Sequence, residues 1–109
     1  MPIMIFDLRI YTMHAGKAAV WLQMYEEYGL PLQSKYLGEP VIFSTTEIGP
    51  LNQVIHLWKY ESQADREKRR EAMAADPAWG EYLKRNDEVG AILSQENRIL
   101  KAVHFSPLK

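Results

Sequence analysis

The N-terminal part of the chain alternates between apolar and other residues with a period of two. Apolar side chains recur at every second position from residue 4, and Asp7 and Arg9 lie between them. Because successive side chains of a β-strand point to opposite faces of the sheet, this alternation predicts a first strand over Ile3–Thr12. One face of that strand is apolar and consists of Met4, Phe6, Leu8 and Ile10.

The period then changes to that of a helix. After a short turn, the spacing i, i+3, i+4, i+7 predicts a helix over Lys17–Tyr28 with one apolar stripe. The segment Gly29-Leu30-Pro31 interrupts this pattern, because proline inside a helix removes a hydrogen bond and clashes with the preceding turn. We expect a kinked continuation to Tyr36, with Pro31 in its first turn. The stripe consists of Trp21, Met24, Tyr25 and Tyr28.

A turn at Gly49–Asn52 separates two further strands that should form an antiparallel hairpin. The second strand is predicted over Val41–Ile48 and the third over Gln53–Glu61. In the third strand the alternation places Ile55 and Leu57 on one face. The opposite face of that strand carries Val54, His56, Trp58 and Tyr60.

Helix-capping signals mark the second half of the chain. Ser62, followed three residues later by an acidic residue, is typical of an N-cap and predicts a helix through Ala75. Asp76 is expected to cap another helix, with Pro77 at its first position. A last strand over Glu96–Phe105 completes the predicted elements.

The predicted order is β-α-β-β-α-β, which is that of a ferredoxin-like α+β fold. We expect residues 1–109 to form a single domain, in which helices cover one face of a four-stranded antiparallel sheet. We expect the helices to cover the apolar face. The polar-aromatic face should then be bare. Such a bare face predicts a homodimer in which two sheets enclose a pocket. The residues expected to line this pocket are Arg9, Tyr11, Glu47, His56, Trp58 and Tyr60.

Composition removes several classes of partner. Lys and Arg number 13 against 14 for Asp and Glu, so no positive field favours nucleic acid. The absence of cysteine excludes disulfides and thiolate metal sites, and it fits a cytoplasmic protein. Asp7 and Arg9 interrupt the N-terminal apolar run, so we expect neither a signal peptide nor a membrane span.

His56 is the best candidate for a catalytic residue, because the ordinary pKa of histidine lies near neutrality and aromatic residues surround this one. The alternative is an interface histidine that one hydrogen bond satisfies. Arg9 and Glu47 either bind a polar group of a substrate or pair with each other across the sheet. The aromatic residues are either the walls of a ligand pocket or the core of a dimer.

The sequence gives little support to a metal site, a phosphate-binding loop or a hydrolase. His14 and His104 have no histidine or carboxylate neighbour at ligand spacing, so no metal site is expected from one chain. The glycines are scattered, which disfavours a phosphate-binding loop. Neither the serine-hydrolase nor the zinc-peptidase motif is present.

Three segments together resemble the NIPSNAP family of the dimeric α/β-barrel superfamily. They are FDLRIYTMHAGK, TEIGPLNQVIHLWKYES and ADREKRREAMAADPAWGEYL, so the likeness runs from about Phe6 to Leu83. His14-Ala15 departs from the lysine-proline pair expected before Gly16. The resemblance implies a homodimer of two ferredoxin-like sheets that form a barrel. It also implies links to mitochondria and vesicle trafficking for animal members, and no settled catalytic residue.

Three hypotheses about the function of this chain remain open. The first is a homodimer that binds a small, largely apolar molecule inside the barrel. The second is a cofactor-independent enzyme, similar to monooxygenases or isomerases, with His56 as the proton-transfer group. The third is a purely structural or interaction domain. No cofactor is predicted, and the remaining alternative is haem bound by the one histidine of the sheet.

Overall fold

Strands and helices alternate along the chain in the computed structural model, which describes residues 4–109. The strands are β1 (Ile5–Met13), β2 (Ile42–Thr45), β3 (Gln53–Tyr60) and β4 (Ile92–Lys101). The helices are α1 (Ala18–Met24), a π-helical turn (Tyr25–Gly29), α2 (Leu30–Leu37), α3 (Gln63–Ala75) and α4 (Pro77–Val89). This order confirms the predicted ferredoxin-like α+β fold. The predicted start of the first strand at Ile3 lies outside the described residues.

The four strands form one antiparallel sheet in the order β2-β3-β1-β4. Strand β1 is therefore central, although it comes first in the chain. Its Arg9 lies opposite His56 of β3 and opposite Asn97 of β4. Residues that lie opposite one another in a sheet point to the same face, so this register determines which side chains of the three strands meet.

The segment around Gly29 confirms the predicted continuation of the first helix and adds a π-helical turn to it. The helical segments approach so closely here that a Cβ on Gly29 would lie 2.6 Å from the ring of Tyr25 and 2.7 Å from that of Tyr82. Pro31 lies in the first turn of α2, directly after the π-helical turn. A glycine at this position therefore lets the helical segment pack tightly against α4.

Both predicted N-caps of the second half are present. The Ser62 hydroxyl accepts a hydrogen bond from the backbone N–H of Asp65 at 3.0 Å and begins α3. The Asp76 carboxylate accepts one from the N–H of Ala78 at 2.9 Å and begins α4. Gly90 ends α4 with a left-handed backbone, φ = 60°. These capping groups satisfy backbone atoms that have no partner within the helix.

Two of the predicted strands have wrong boundaries. Strand β2 ends at Thr45 rather than Ile48, so Glu47 lies in an exposed loop. Strand β4 begins at Ile92 and ends at Lys101, whereas Glu96–Phe105 was expected. Most of β4 is exposed on both faces, so its sequence lacks the alternation of apolar and polar residues that reveals a half-buried strand.

The assignment of the two faces is also wrong, because the helices cover the polar-aromatic face. Tyr11, Val54 and Trp58 pack in clusters with helix residues such as Trp21 and Met73. The division of residues between the faces is as predicted, but the helical aromatic stripe packs on the aromatic side of the sheet. The opposite, open face carries Leu8, Ile10, Ile42, Ile55, Leu57 and Leu100.

Candidate functional site

Five of the six predicted pocket residues lie together beneath the helices. Strand β1 contributes Arg9 and Tyr11, and β3 contributes His56, Trp58 and Tyr60. The four other than Arg9 are buried, and the Arg9 side chain is 18% exposed. Glu47 is the exception, since the loop after β2 holds it at the surface, away from Arg9. The alternative in which Arg9 pairs with Glu47 is therefore wrong, since Arg9 pairs with Asp7.

Asp7 is the buried partner of Arg9, and the prediction of site residues missed it. Its fully buried carboxylate accepts hydrogen bonds from Arg9 at 3.2 Å, Arg66 at 3.1 Å and Asn97 at 3.1 Å. Burial alone would raise the pKa of Asp7, but the charge of Arg9 and the bonds from Asn97 and Arg66 together lower it. The signal in the sequence was a carboxylate in the same alternating set as Arg9. Together with its partners, Asp7 forms an ion cluster that joins β1, α3 and β4.

The tautomer of His56 follows from its hydrogen bond to Trp58. The indole Nε1 of Trp58 lies 2.7 Å from Nδ1 of His56. An indole N–H only donates, so Nδ1 must be the acceptor and the proton of the neutral imidazole is on Nε2. Within residues 4–109, this buried Nε2–H has no hydrogen-bond acceptor. His56 thus presents an unused donor.

The surroundings of His56 keep it neutral. Burial, and then the positive charge of Arg9, lower the pKa of His56 to about 3. Protonation would also place a second N–H at Nδ1, directly against the indole N–H of Trp58. The lone pair that a general base or a haem ligand needs is therefore occupied. This geometry does not fit haem and makes His56 a donor of a hydrogen bond rather than a base.

Phe43 lies between His56 and the first helical segment. Its ring stacks on His56 with centroids 4.4 Å apart and on Tyr25 with centroids 4.7 Å apart, both at an interplanar angle of 23°. Tyr11 meets the His56 ring edge to face at 4.7 Å. The rings of Tyr25, Phe43 and His56 thus form one stack that leads from the helices to the centre of the sheet.

A cavity of about 550 Å³ opens beside this stack, between edge strand β2 and the helical segment that contains the π-helical turn. We call it the β2 cavity. This volume is within the usual range for small-molecule pockets. Its apolar lining consists of Leu22, Tyr25, Leu30, Pro40 and Phe43. Gln23, Glu26, Ser34 and Glu39 supply the polar lining.

The predicted pocket residues do not line the β2 cavity, and the sequence held only indirect signals for it. Phe43 was part of a predicted strand, and Tyr25 was part of the predicted apolar stripe. The Gly29-Leu30-Pro31 interruption indicated an irregular helix, and π-helical turns are frequent at functional sites. These signals identified the elements, but the cavity depends on how the elements pack.

The described part of the chain also bears on metal ions and membranes. Among residues 4–109, no group of three or more histidine, cysteine, aspartate or glutamate side chains is placed to hold a metal ion. The helices of these same residues are too short or too polar for any of them to cross a bilayer.

The NIPSNAP family model matches residues 6–107. A NipSnap homolog from Dictyostelium discoideum is 35% identical over 79 residues, which cover 72% of this chain but 34% of that protein. This chain thus corresponds to about a third of that relative.

Solved structures agree with the family match. A NIPSNAP family protein from Agrobacterium tumefaciens is 42% identical with a TM-score of 0.89, and the match covers 97% of this chain and 99% of that one. A second, of unknown function and from the same organism, is 35% identical with a TM-score of 0.89, covering 99% and 96%. A dimeric ferredoxin-like protein from an uncultured marine organism shares the fold alone, at 11% identity and a TM-score of 0.68. The family model and these relatives together show that the chain belongs to the NIPSNAP family.

Proposed function

We propose that this protein is a homodimer that binds a small, largely apolar molecule, and that the β2 cavity is its binding site. The observation that carries the proposal is the cavity itself, about 550 Å³ in volume, with apolar walls and a few polar side chains. Small-molecule sites typically combine these features. The site therefore lies between the helices and the sheet of one protomer, rather than between two sheets.

The open face of the sheet supports the proposed homodimer. It presents aliphatic side chains from all four strands, and Ile42 and Leu100 remain 54% and 41% exposed. Exposed aliphatic side chains grouped on one face are typical of an interaction site. Packing two such faces about a two-fold axis would bury apolar side chains of both copies, and isologous dimers are the commonest assemblies. The fold-level likeness to a dimeric ferredoxin-like protein is consistent with this.

The cavity can be tested by filling it. Leu22→Trp places a large ring in the lining, whereas Leu83→Trp adds the same ring to an exposed position of α4. Binding of the apolar fluorescent probe N-phenyl-1-naphthylamine is titrated for the wild type and both variants, with circular dichroism as the test of folding. We expect Leu22→Trp to weaken binding about tenfold or more, which corresponds to about 1.4 kcal/mol, and Leu83→Trp to have no effect.

Equal binding by the wild type and a folded Leu22→Trp variant would place the probe elsewhere and reject the β2 cavity as the site. Analytical ultracentrifugation tests the assembly in parallel. A monomer at micromolar concentration would reject the proposed homodimer without affecting the cavity hypothesis.

A further inference from the structure

We propose that the β2 cavity binds an amphiphilic amine, which is a largely apolar molecule with one protonated amino group, and that Glu26 and Glu39 bind this group at the mouth of the cavity. This inference rests on the proposed function, because it concerns the same cavity. It adds the chemical class of the ligand and the direction in which the ligand lies. The cavity remains the site, and the two carboxylates select among the molecules that could enter it.

The lining of the β2 cavity divides into an inner and an outer part. Tyr25 is 4% exposed, and apolar lining residues such as Leu30 and Phe43 are half-buried. Glu26 and Glu39 line the same cavity but are exposed. The cavity therefore has an apolar interior and an acidic mouth. Since a few polar groups usually fix the orientation of a ligand in an apolar pocket, the polar end of the ligand should point outward.

The charged side chains of the lining all have the same sign. Glu26 and Glu39 carry negative charge, and within residues 4–109 no lysine, arginine or histidine lines the cavity. A cleft lined by charges of one sign attracts ligands of the opposite sign. A carboxylate or phosphate on the ligand would be repelled, whereas a protonated amine would be attracted. The polar end of the ligand is therefore cationic.

The two carboxylates are also free of ion pairs. Neither Glu26 nor Glu39 forms a salt bridge in the part of the chain that the structure describes. Glu39 also borders a smaller depression that contains Lys59 and Arg69. Arg69 is bound there to Asp65 at 2.9 Å, and Lys59 forms no ion pair with a described residue. The negative charge at the mouth is thus left for a ligand.

Three probes of similar chain length test the charge of the ligand. Octylammonium, 1-octanol and octanoate differ mainly in the head group. Each is used below its micellar concentration to displace N-phenyl-1-naphthylamine, which is neutral at pH 7, from the wild type. Fluorescence gives the concentration that displaces half of this probe. We expect octylammonium to act at about fivefold lower concentration than 1-octanol, because it gains contact with two exposed carboxylates. Octanoate should be the weakest of the three.

A pair of double variants tests the two carboxylates. Glu26→Gln with Glu39→Gln removes both charges from the mouth with little change in shape. Glu27→Gln with Glu47→Gln removes two charges from exposed residues outside the cavity lining, so the two variants have the same net charge. The first variant should lose the advantage of octylammonium over 1-octanol, and the second should keep it. Added sodium chloride should reduce this advantage in the wild type, since salt screens exposed charges.

The outcomes separate the two proposals. If Leu22→Trp weakens binding of N-phenyl-1-naphthylamine but octylammonium displaces it from the wild type no better than 1-octanol, the ligand class is overturned and the cavity function stands. If both double variants lose the advantage equally, net charge is its cause, and the role of Glu26 and Glu39 is rejected. If N-phenyl-1-naphthylamine does not bind the wild type, both proposals fail.

Discussion

The two faces of the sheet carry different side chains and have different neighbours. The helix-covered face holds aromatic and charged residues, and several of their polar atoms are paired at short range, such as Asp7 with two arginines and Trp58 with His56. The open face holds aliphatic residues such as Leu8, Ile10 and Leu57. A buried polar atom needs a partner in a defined position, whereas an aliphatic surface accepts any complementary apolar surface.

The side chains of each face determine the kind of neighbour against which that face can pack. The face that needs defined partners packs against helices of the same chain, which are always present at the same place. The open face, which is rich in aliphatic side chains, is the one that we propose for contact with a second copy of the chain. Polar and aromatic residues on a strand are thus poor evidence for an interface when a helix of the same protein can supply matching rings.

The largest expected effect comes from adjacent residues of β3 on opposite faces. Trp58→Ala removes a ring that is 1% exposed, and we expect a loss of about 3–5 kcal/mol in the free energy of unfolding. Leu57→Ala, on the open face, should cost far less in a protomer. Urea unfolding of both variants measures the difference. Similar losses in the two variants would contradict the distinction between the faces.

A charge on the open face should act on assembly. Leu57→Asp places a carboxylate where two sheets would meet, and its burial there should weaken the proposed dimer about 30-fold, or about 2 kcal/mol. Sedimentation equilibrium gives the dissociation constant, and circular dichroism checks that the monomer stays folded. Lys59→Asp, near the end of the same strand and on the same face, tests whether the effect is confined to the apolar centre. An undiminished dimer for Leu57→Asp would exclude this face as the interface.

Packing on the covered side can be probed with two glycines. Gly29→Ala would force a methyl group against the rings of Tyr25 and Tyr82, with an expected loss of about 1–3 kcal/mol. Gly80 lies within α4 and would meet nothing within 4 Å, so Gly80→Ala should stabilise the protein by up to about 1 kcal/mol. Thermal unfolding monitored at equal protein concentration distinguishes the two. If Gly29→Ala leaves the thermal stability unchanged, the helices on the covered side can shift to accommodate the methyl group.

The last effect concerns pH. The pKa of His56 is lowered to about 3 in the folded state, whereas the unfolded state titrates near 6.5. The unfolded state thus binds the proton first, and the folded protein should lose about 1.4 kcal/mol per pH unit below about 6.5, down to about pH 3. His56→Gln should lack this component. Urea unfolding of both proteins from pH 7 to 5 measures it, and parallel pH profiles would refute the proposed neutral state of His56.

The elements and their order could be predicted from the sequence because their signals are local. The caps at Ser62 and Asp76 involve residues two or three positions apart. The alternation in β1 and β3 assigned side chains correctly to two sets. The bounds of strand β4 were predicted wrongly because its exposed residues show no such alternation.

The side covered by the helices could not be predicted in the same way. Alternation separates two faces but does not state which one the helices cover, and both faces here contain large apolar side chains. The decision depends on contacts between distant residues, such as Trp21 with Asn86 and Asp7 with Arg66. The same is true of the β2 cavity, whose walls come from β2, the preceding loop and the helical segment.

The central position of β1 has a consequence for how the chain folds during synthesis. The ribosome makes β1 first, and residues 53–60 must follow before one of its edges can pair. Its other edge stays open until residues 92–101 have been made, because Ile5 pairs with Lys101. Such distant pairing slows folding and prolongs the exposure of an unpaired strand. The nascent protein should therefore depend on chaperones until β4 has been completed.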